Sequence, residues 1–281
     1  MTSRLMTSEL MAAQSSSRVL TRWGATLRVV EGLWTWYRRN WRATAVSSLL
    51  QPVLLLVAFG VGFGSLIGTS GRVARATGGV PYLTYLAPAL LAVGALQTAT
   101  FESSYPILSA FKWRRTYEGV AATPITPGQL AAGQLTWIAL RLTLSGAAYL
   151  LVVALFGALR GPGAALALVF AVLCGMAFSA PLVAFSASRE REGGAFSAVF
   201  RLVVLPMTLF SGVFFPISRL PREVQPFAWI SPLWHGTELA RGAALGTLRW
   251  WPAAGHLAYL IMLLVVGVRL SRWRFRVRLT R

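Results

Sequence analysis

The sequence predicts an all-α integral membrane protein with six transmembrane helices. Three observations carry that reading. The chain is 56% hydrophobic and 12% charged, with a mean hydropathy of +0.60, whereas soluble domains carry about 25% charged residues. Several apolar stretches of about 20 residues or more are nearly free of charge, enough to cross a bilayer as helices. The cationic residues gather at the ends of those stretches, which is where membrane topology puts them.

That placement decides the meaning of the net charge of +19. The arginines sit where anionic lipid headgroups attract them, so no nucleic-acid partner is expected. The single Cys174 lies in an apolar run and excludes an intrachain disulfide or a thiolate metal site. The N-terminal residues 1–17 are polar, lack a signal-peptide core, and read as a disordered cytoplasmic tail.

Residues 18–42 mix arginines with Trp23, Trp34, Trp36, Tyr37 and Trp41. They are too charged to span and fit an amphipathic helix lying in the interface, with arginines snorkelling. The spans follow at about 43–67, 81–111, 129–156, 164–187, 195–215 and 252–270. Pro52 is expected to kink the first. Residues 214–246 hold four prolines and many aromatics. Broken backbone at membrane depth needs shelter from protein or water, so two re-entrant helices are expected at about 218–230 and 233–244. A basic tail, 272–281, closes the chain. Segments placed inside by this topology hold 7, 3, 2 and 5 Lys/Arg, against 2, 1 and 4 outside, so both termini are expected in the cytoplasm.

Between the second and third spans lies a polar island, Lys112–Gly128. Trp113, Tyr117 and Val120 fall on one helical face. Thr123-Pro124 ends such a helix, and Pro127 suits the first turn of the next. The helix predicted at 112–124 is read as a docking element for another protein. Arg114, Arg115 and Glu118 are left free for a partner. A passive loop anchored by its basic residues is the plainer alternative.

Three charges fall deep within spans: Glu102, Arg141 and Arg201. A rise of about 1.5 Å per residue puts Glu102 and Arg141 at similar depth on neighbouring antiparallel helices. They are expected to pair, either to fix helix register or to act in a conformational switch or substrate contact. Gln97, Gln134, Ser103 and Ser104 are candidates for interhelical hydrogen bonds. In the re-entrant segment, Pro216, His235 and Glu238 stand out. His235 and Glu238 are the one pair at ligand-like spacing, too little for a metal site. No P-loop, GxSxG or HExxH sequence occurs. No catalytic residue, metal or cofactor is expected.

KWRRTYEGVAATPITPGQLAAGQL with the preceding YLAPALLAVGALQTATFESSY resembles the core signature of ABC type-2 permeases. LFSGVFFPISRLP and PLWHGTELARGAALG are similar to a second signature of the branch that exports lipo-oligosaccharides and drugs. The resemblance covers most of residues 20–270. It implies one protomer of a permease homodimer in the bacterial cell membrane. Each protomer would dock one of two ATP-binding subunits, which hold the ATP and magnesium. The helix at 112–124 would be the coupling helix, with Arg114, Arg115, Tyr117 and Glu118 as its docking contacts, and the N-terminal helix would help cradle the ATPase. The expected cargo is amphipathic: a drug, a lipid or a lipid-linked glycan. A membrane-embedded transferase or protease, or a secondary transporter, are the competing readings.

Overall fold

A computed structural model describes residues 22–58, 79–158, 161, 163–190 and 194–280. The tail expected at 1–17 and the far half of the first span, 59–67, lie outside them. Among the described residues every regular element is a helix. They are α1 (Arg22–Leu55), α2 (Tyr82–Ser103), α3 (Tyr105–Lys112), α4 (Thr116–Ala121), α5 (Pro127–Leu155), α6 (Gly163–Ala187), α7 (Ala195–Phe210), α8 (Gln225–Ile230), α9 (Pro232–Leu245) and α10 (Trp250–Leu279).

Four helical segments among these residues are long and apolar enough to cross a membrane: Tyr82–Lys112, Pro127–Leu155, Gly163–Ala187 and Trp250–Leu279. They coincide with the expected second, third, fourth and sixth spans. The fifth, Ala195–Phe210, is shorter, and its middle turn widens into a π-helix at Phe200–Val204. The amphipathic helix and first span expected as two elements are one. α1 runs without interruption from Arg22 to Leu55, through Pro52. The expected second span is instead broken at Ser104, between α2 and α3. Pro106 explains the break: it has no N–H to donate, and its ring would meet the carbonyl of Glu102.

α6 forms the centre of the bundle and packs against α2, α5, α9 and α10. Hydrophobicity alone does not draw helices together in lipid, so close approach and van der Waals contact do that work. Two glycines permit it. A Cβ on Gly236 of α9 would lie 2.5 Å from Cys174 Sγ, and one on Gly267 of α10 would lie 2.4 Å from Pro181 Cδ. Hydroxyls add bonds at the same contacts. Ser103 and Ser179 are 2.6 Å apart, Ser186 donates to the Ser103 carbonyl, and Ser271 donates to that of Ala180.

The predicted basic tail is not a tail. α10 continues as helix to Leu279 and carries its arginines with it. Phe275 is fully buried, 5.1 Å from the ring of Phe111 and 5.4 Å from that of Tyr117. Arg278 donates to the carbonyls of Ala187 and Arg189 and lies over Phe111. The last two turns therefore clamp the ends of α3, α4 and α6. Phe275→Leu removes ring edges from this knot and is expected to cost about 1.5 kcal/mol. Thermal melting of the purified chain measures it, and an unchanged midpoint would show that the knot bears no load.

Candidate functional site

The island between the second and third spans forms at one end of the bundle. α4 is shorter than expected and begins only at Thr116. Arg115, which precedes it, adopts φ 49°, a left-handed conformation that an L side chain enters at a cost of about 1–2 kcal/mol. This kink excludes Trp113 from the helix. Trp113 is half exposed, under the Lys112 ammonium, rather than packed with Tyr117. The exit matches expectation closely. Thr126 caps α5, with its hydroxyl accepting from the Gln129 N–H and the Gln129 side chain accepting from the Thr126 N–H. Pro127 takes the first turn, where its missing donor costs nothing.

Tyr117 is buried, its ring edge-on to Phe111 at 4.7 Å. Its hydroxyl donates to Gln134 Oε1 at 2.9 Å. Burial pushes its pKa up, so it remains a neutral donor. This corrects the expected docking set: Tyr117 ties α4 to α5 and does not belong to the accessible surface. Arg114, Arg115 and Glu118 do, and all three are exposed. Arg115 and Glu118 lie 3.9 Å apart in solvent, a contact worth little by itself.

Deeper in the bundle, Arg141 Nε donates to Glu102 Oε1 at 3.0 Å. Both residues are buried, and Arg141 is only 2% exposed. The guanidinium also lies 4.4 Å from the ring centre of Tyr37 in α1. Tyr37 meets Trp137 edge-on. The expected pair forms, and it joins three helices rather than two. Arg201 takes no part in it. It lies exposed on the π turn of α7.

The opposite end is organised by α8 and α9. The expected re-entrant helices begin later than 218, since 217–219 is only a 3-10 turn started by Pro216. His235 does not pair with Glu238. Its Nε2 lies 2.9 Å from the Trp229 carbonyl and so donates. Its Nδ1, 2.8 Å from His256 Nδ1, must then accept. Burial holds this imidazole below its ordinary range. With both nitrogens used, His235 is neither a free base nor a ready metal ligand. Among the described residues no group of three or more His, Cys, Asp or Glu is placed to hold a metal.

Glu238 instead accepts from Arg241 Nη1 at 3.1 Å. Sequence reasoning passed over Arg241 except in the topology count. It is buried, donates to the carbonyls of Tyr85, Gly212 and Val213, and lies 3.9 Å from the Tyr85 ring centre. The Glu238/Arg241 spacing of three, a helical pair, was the available signal.

Residues 27–245 match the ABC-2 type transporter family. The chain is 32% identical to Nodulation protein J of Sinorhizobium fredii over 75% of its length and 82% of the relative's. It is 33% identical to that of Bradyrhizobium diazoefficiens over 74% and 79%. The protein of the same name from Rhizobium leguminosarum bv. viciae is 30% identical over 87% of this chain and 94% of its own.

Proposed function

Because the chain belongs to the ABC-2 type transporter family, we propose that it is the membrane-spanning subunit of an ATP-driven exporter. In this reading two copies form the permease, each crossing the bacterial cell membrane six times with both termini in the cytoplasm. Two separate ATP-binding subunits hold the ATP and magnesium and supply the hydrolysis. The cargo is an amphipathic molecule, a drug, a lipid or a lipid-linked glycan, in keeping with apolar spans and sparse charge on the far side.

One observation supports the reading above others. α4 and the kinked turn before it present Glu118, Arg114 and Arg115 outward, and α4 is braced from behind by the Tyr117–Phe111–Phe275 knot and the Tyr117–Gln134 bond. A force applied to that surface passes directly into α3, α5 and α10. A freely moving loop would absorb it.

Reversing one charge tests the contact. Glu118→Arg leaves the buried knot alone, because Glu118 is 55% exposed at its side chain. It is expected to lower recovery of the ATP-binding subunit in co-purification by about tenfold or more, since a like-charge juxtaposition at an interface costs several kcal/mol. Wild-type protein that retains no ATP-binding subunit would refute the proposal. Equal recovery with Glu118→Arg would remove Glu118 from the docking surface.

A further inference from the structure

α8 is tied down through the carbonyls of its last two residues. His235 Nε2, in the first turn of α9, donates to the Trp229 carbonyl at 2.9 Å. The Tyr259 hydroxyl of α10 donates to the Ile230 carbonyl. Neighbouring rings fix the His235 imidazole for this task. It stacks on Tyr259, with ring centres 4.0 Å apart, and Trp234 stands edge-on at 4.7 Å. Ser231, in extended conformation, is the joint between α8 and α9. Phe227 and Ile230 of α8 wall an apolar cavity of about 770 Å³ that α6, α7 and α10 also line, so lifting α8 uncovers it.

Proton count decides whether the tie holds. His235 Nε2 carries the proton given to Trp229, so its Nδ1 takes one from His256 Nδ1. A first added proton enters at His256 Nε2, the ring nitrogen that these bonds leave open. It keeps the Nδ1 bond and gives it a charged donor. A second proton has His235 Nδ1 as its place. Two N–H groups would then face each other across 2.8 Å, in charged rings with centres 4.9 Å apart. That bond breaks, and the ring turns and takes Nε2 from the Trp229 carbonyl. The surrounding groups do not answer in the same range. Tyr259 titrates far above it, Cys174 behind α9 is a buried thiol, and α8 has no ionisable side chain. On α9, Glu238 pairs with Arg241. Arg222 and Glu223, before α8, are exposed.

We propose that His235 and His256 form a proton-operated latch, which holds α8 down with at most one added proton between them and releases it, opening the cavity, when a second arrives. Burial and the neighbouring ring hold the His235 imidazole below its ordinary range, so the closed lid refuses a proton that the open lid accepts. Closure is therefore complete above the ordinary histidine value of about 6.5 and weakens about tenfold per pH unit below it. The latch goes beyond the exporter reading and needs no ATP-binding subunit.

Spin-label distances in the full chain, held in phosphatidylcholine nanodiscs, test it. Phe227→Cys on α8 and Val169→Cys on α6 put the labels at exposed positions, while native Cys174 is buried. One distance is expected at about pH 7.5, and a longer one should dominate by about pH 4.5, two units below the ordinary histidine value. His256→Gln offers His235 Nδ1 either an N–H or a carbonyl and never a second charge, so it should stay closed throughout. Glu238→Gln removes the one carboxylate of α9 and should open like the parent. Histidine 15N NMR of the unsubstituted chain should show one proton taken near the ordinary value and the other well below it. A distance that ignores pH, an opening unchanged in His256→Gln or abolished by Glu238→Gln, or two histidines that titrate together at the ordinary value would each overturn the proposal.

Discussion

Glu102→Leu is expected to destabilise the protein by about 3–5 kcal/mol, the cost of leaving a buried charge without its counterion. An exposed pair would be worth about 0–1 kcal/mol, and the 2% exposure of Arg141 decides which figure applies. The substitution takes the carboxylate from Arg141 Nε and loosens the seat of Tyr37 against the guanidinium. α1 should therefore lose its grip on α5. The double variant Glu102→Leu/Arg141→Leu should recover most of the loss, because it leaves no charge behind. Thermal melting and the monodisperse fraction after detergent extraction measure both. If the double variant melts no higher than the single one, uncompensated charge is not the cause. A single variant that melts like wild type would remove the pair from any structural role.

Arg241→Met should cost about 3 kcal/mol, since each hydrogen bond from a charged group is worth roughly 1.5–3 kcal/mol and the bonds are not additive. The side chain is flexible and apolar enough to fill the space, so the loss is one of donors rather than volume. Tyr85, Gly212 and Val213 would each lose the guanidinium as a partner for their carbonyls. The link between α9, α2 and the turn after α7 would go with it. Arg241→Lys should recover less than half, because an ammonium cannot span these acceptors as a planar fork does. Limited proteolysis between Ser211 and Gln225, alongside melting, distinguishes a local release from global loss. Resistance equal to wild type in Arg241→Met would show that α9 is held by packing alone, through Gly236 on Cys174.

Much of the fold was legible because lipid imposes a simple rule on length and polarity. Four of the six expected spans are, among the described residues, helices long and apolar enough to cross a membrane. The depth of Glu102 and Arg141 followed from rise per residue. Pro127 announced the first turn of α5. What escaped has physical reasons. Amphipathicity reports the surroundings of a helix and not its ends, so the change in composition near Arg42 suggested a boundary where helical backbone simply continues. Arginines near Leu279 looked like a solvated tail, although Ser271, Phe275 and Arg278 at i, i+4 and i+7 mark one inward face. A left-handed arginine at position 115 breaks the helical register of the island, and no propensity foresees it. The His235–His256 contact joins residues 21 apart through tertiary packing, which spacing cannot encode.

The clasp between Gly267 and Pro181 has a mechanical meaning. α10 is a rod of 30 residues, and here its backbone lies so close to α6 that no Cβ would fit. By helical rise, Phe275 lies about 12 Å to one side of that fulcrum and Trp250 about 25 Å to the other. A rod pivoting there returns a tilt at its arginine-rich end as a displacement about twice as large at the tryptophans. If a partner docks at α4 as proposed, small strokes there would arrive amplified at the opposite face, where Trp250 and Trp251 stand almost fully exposed.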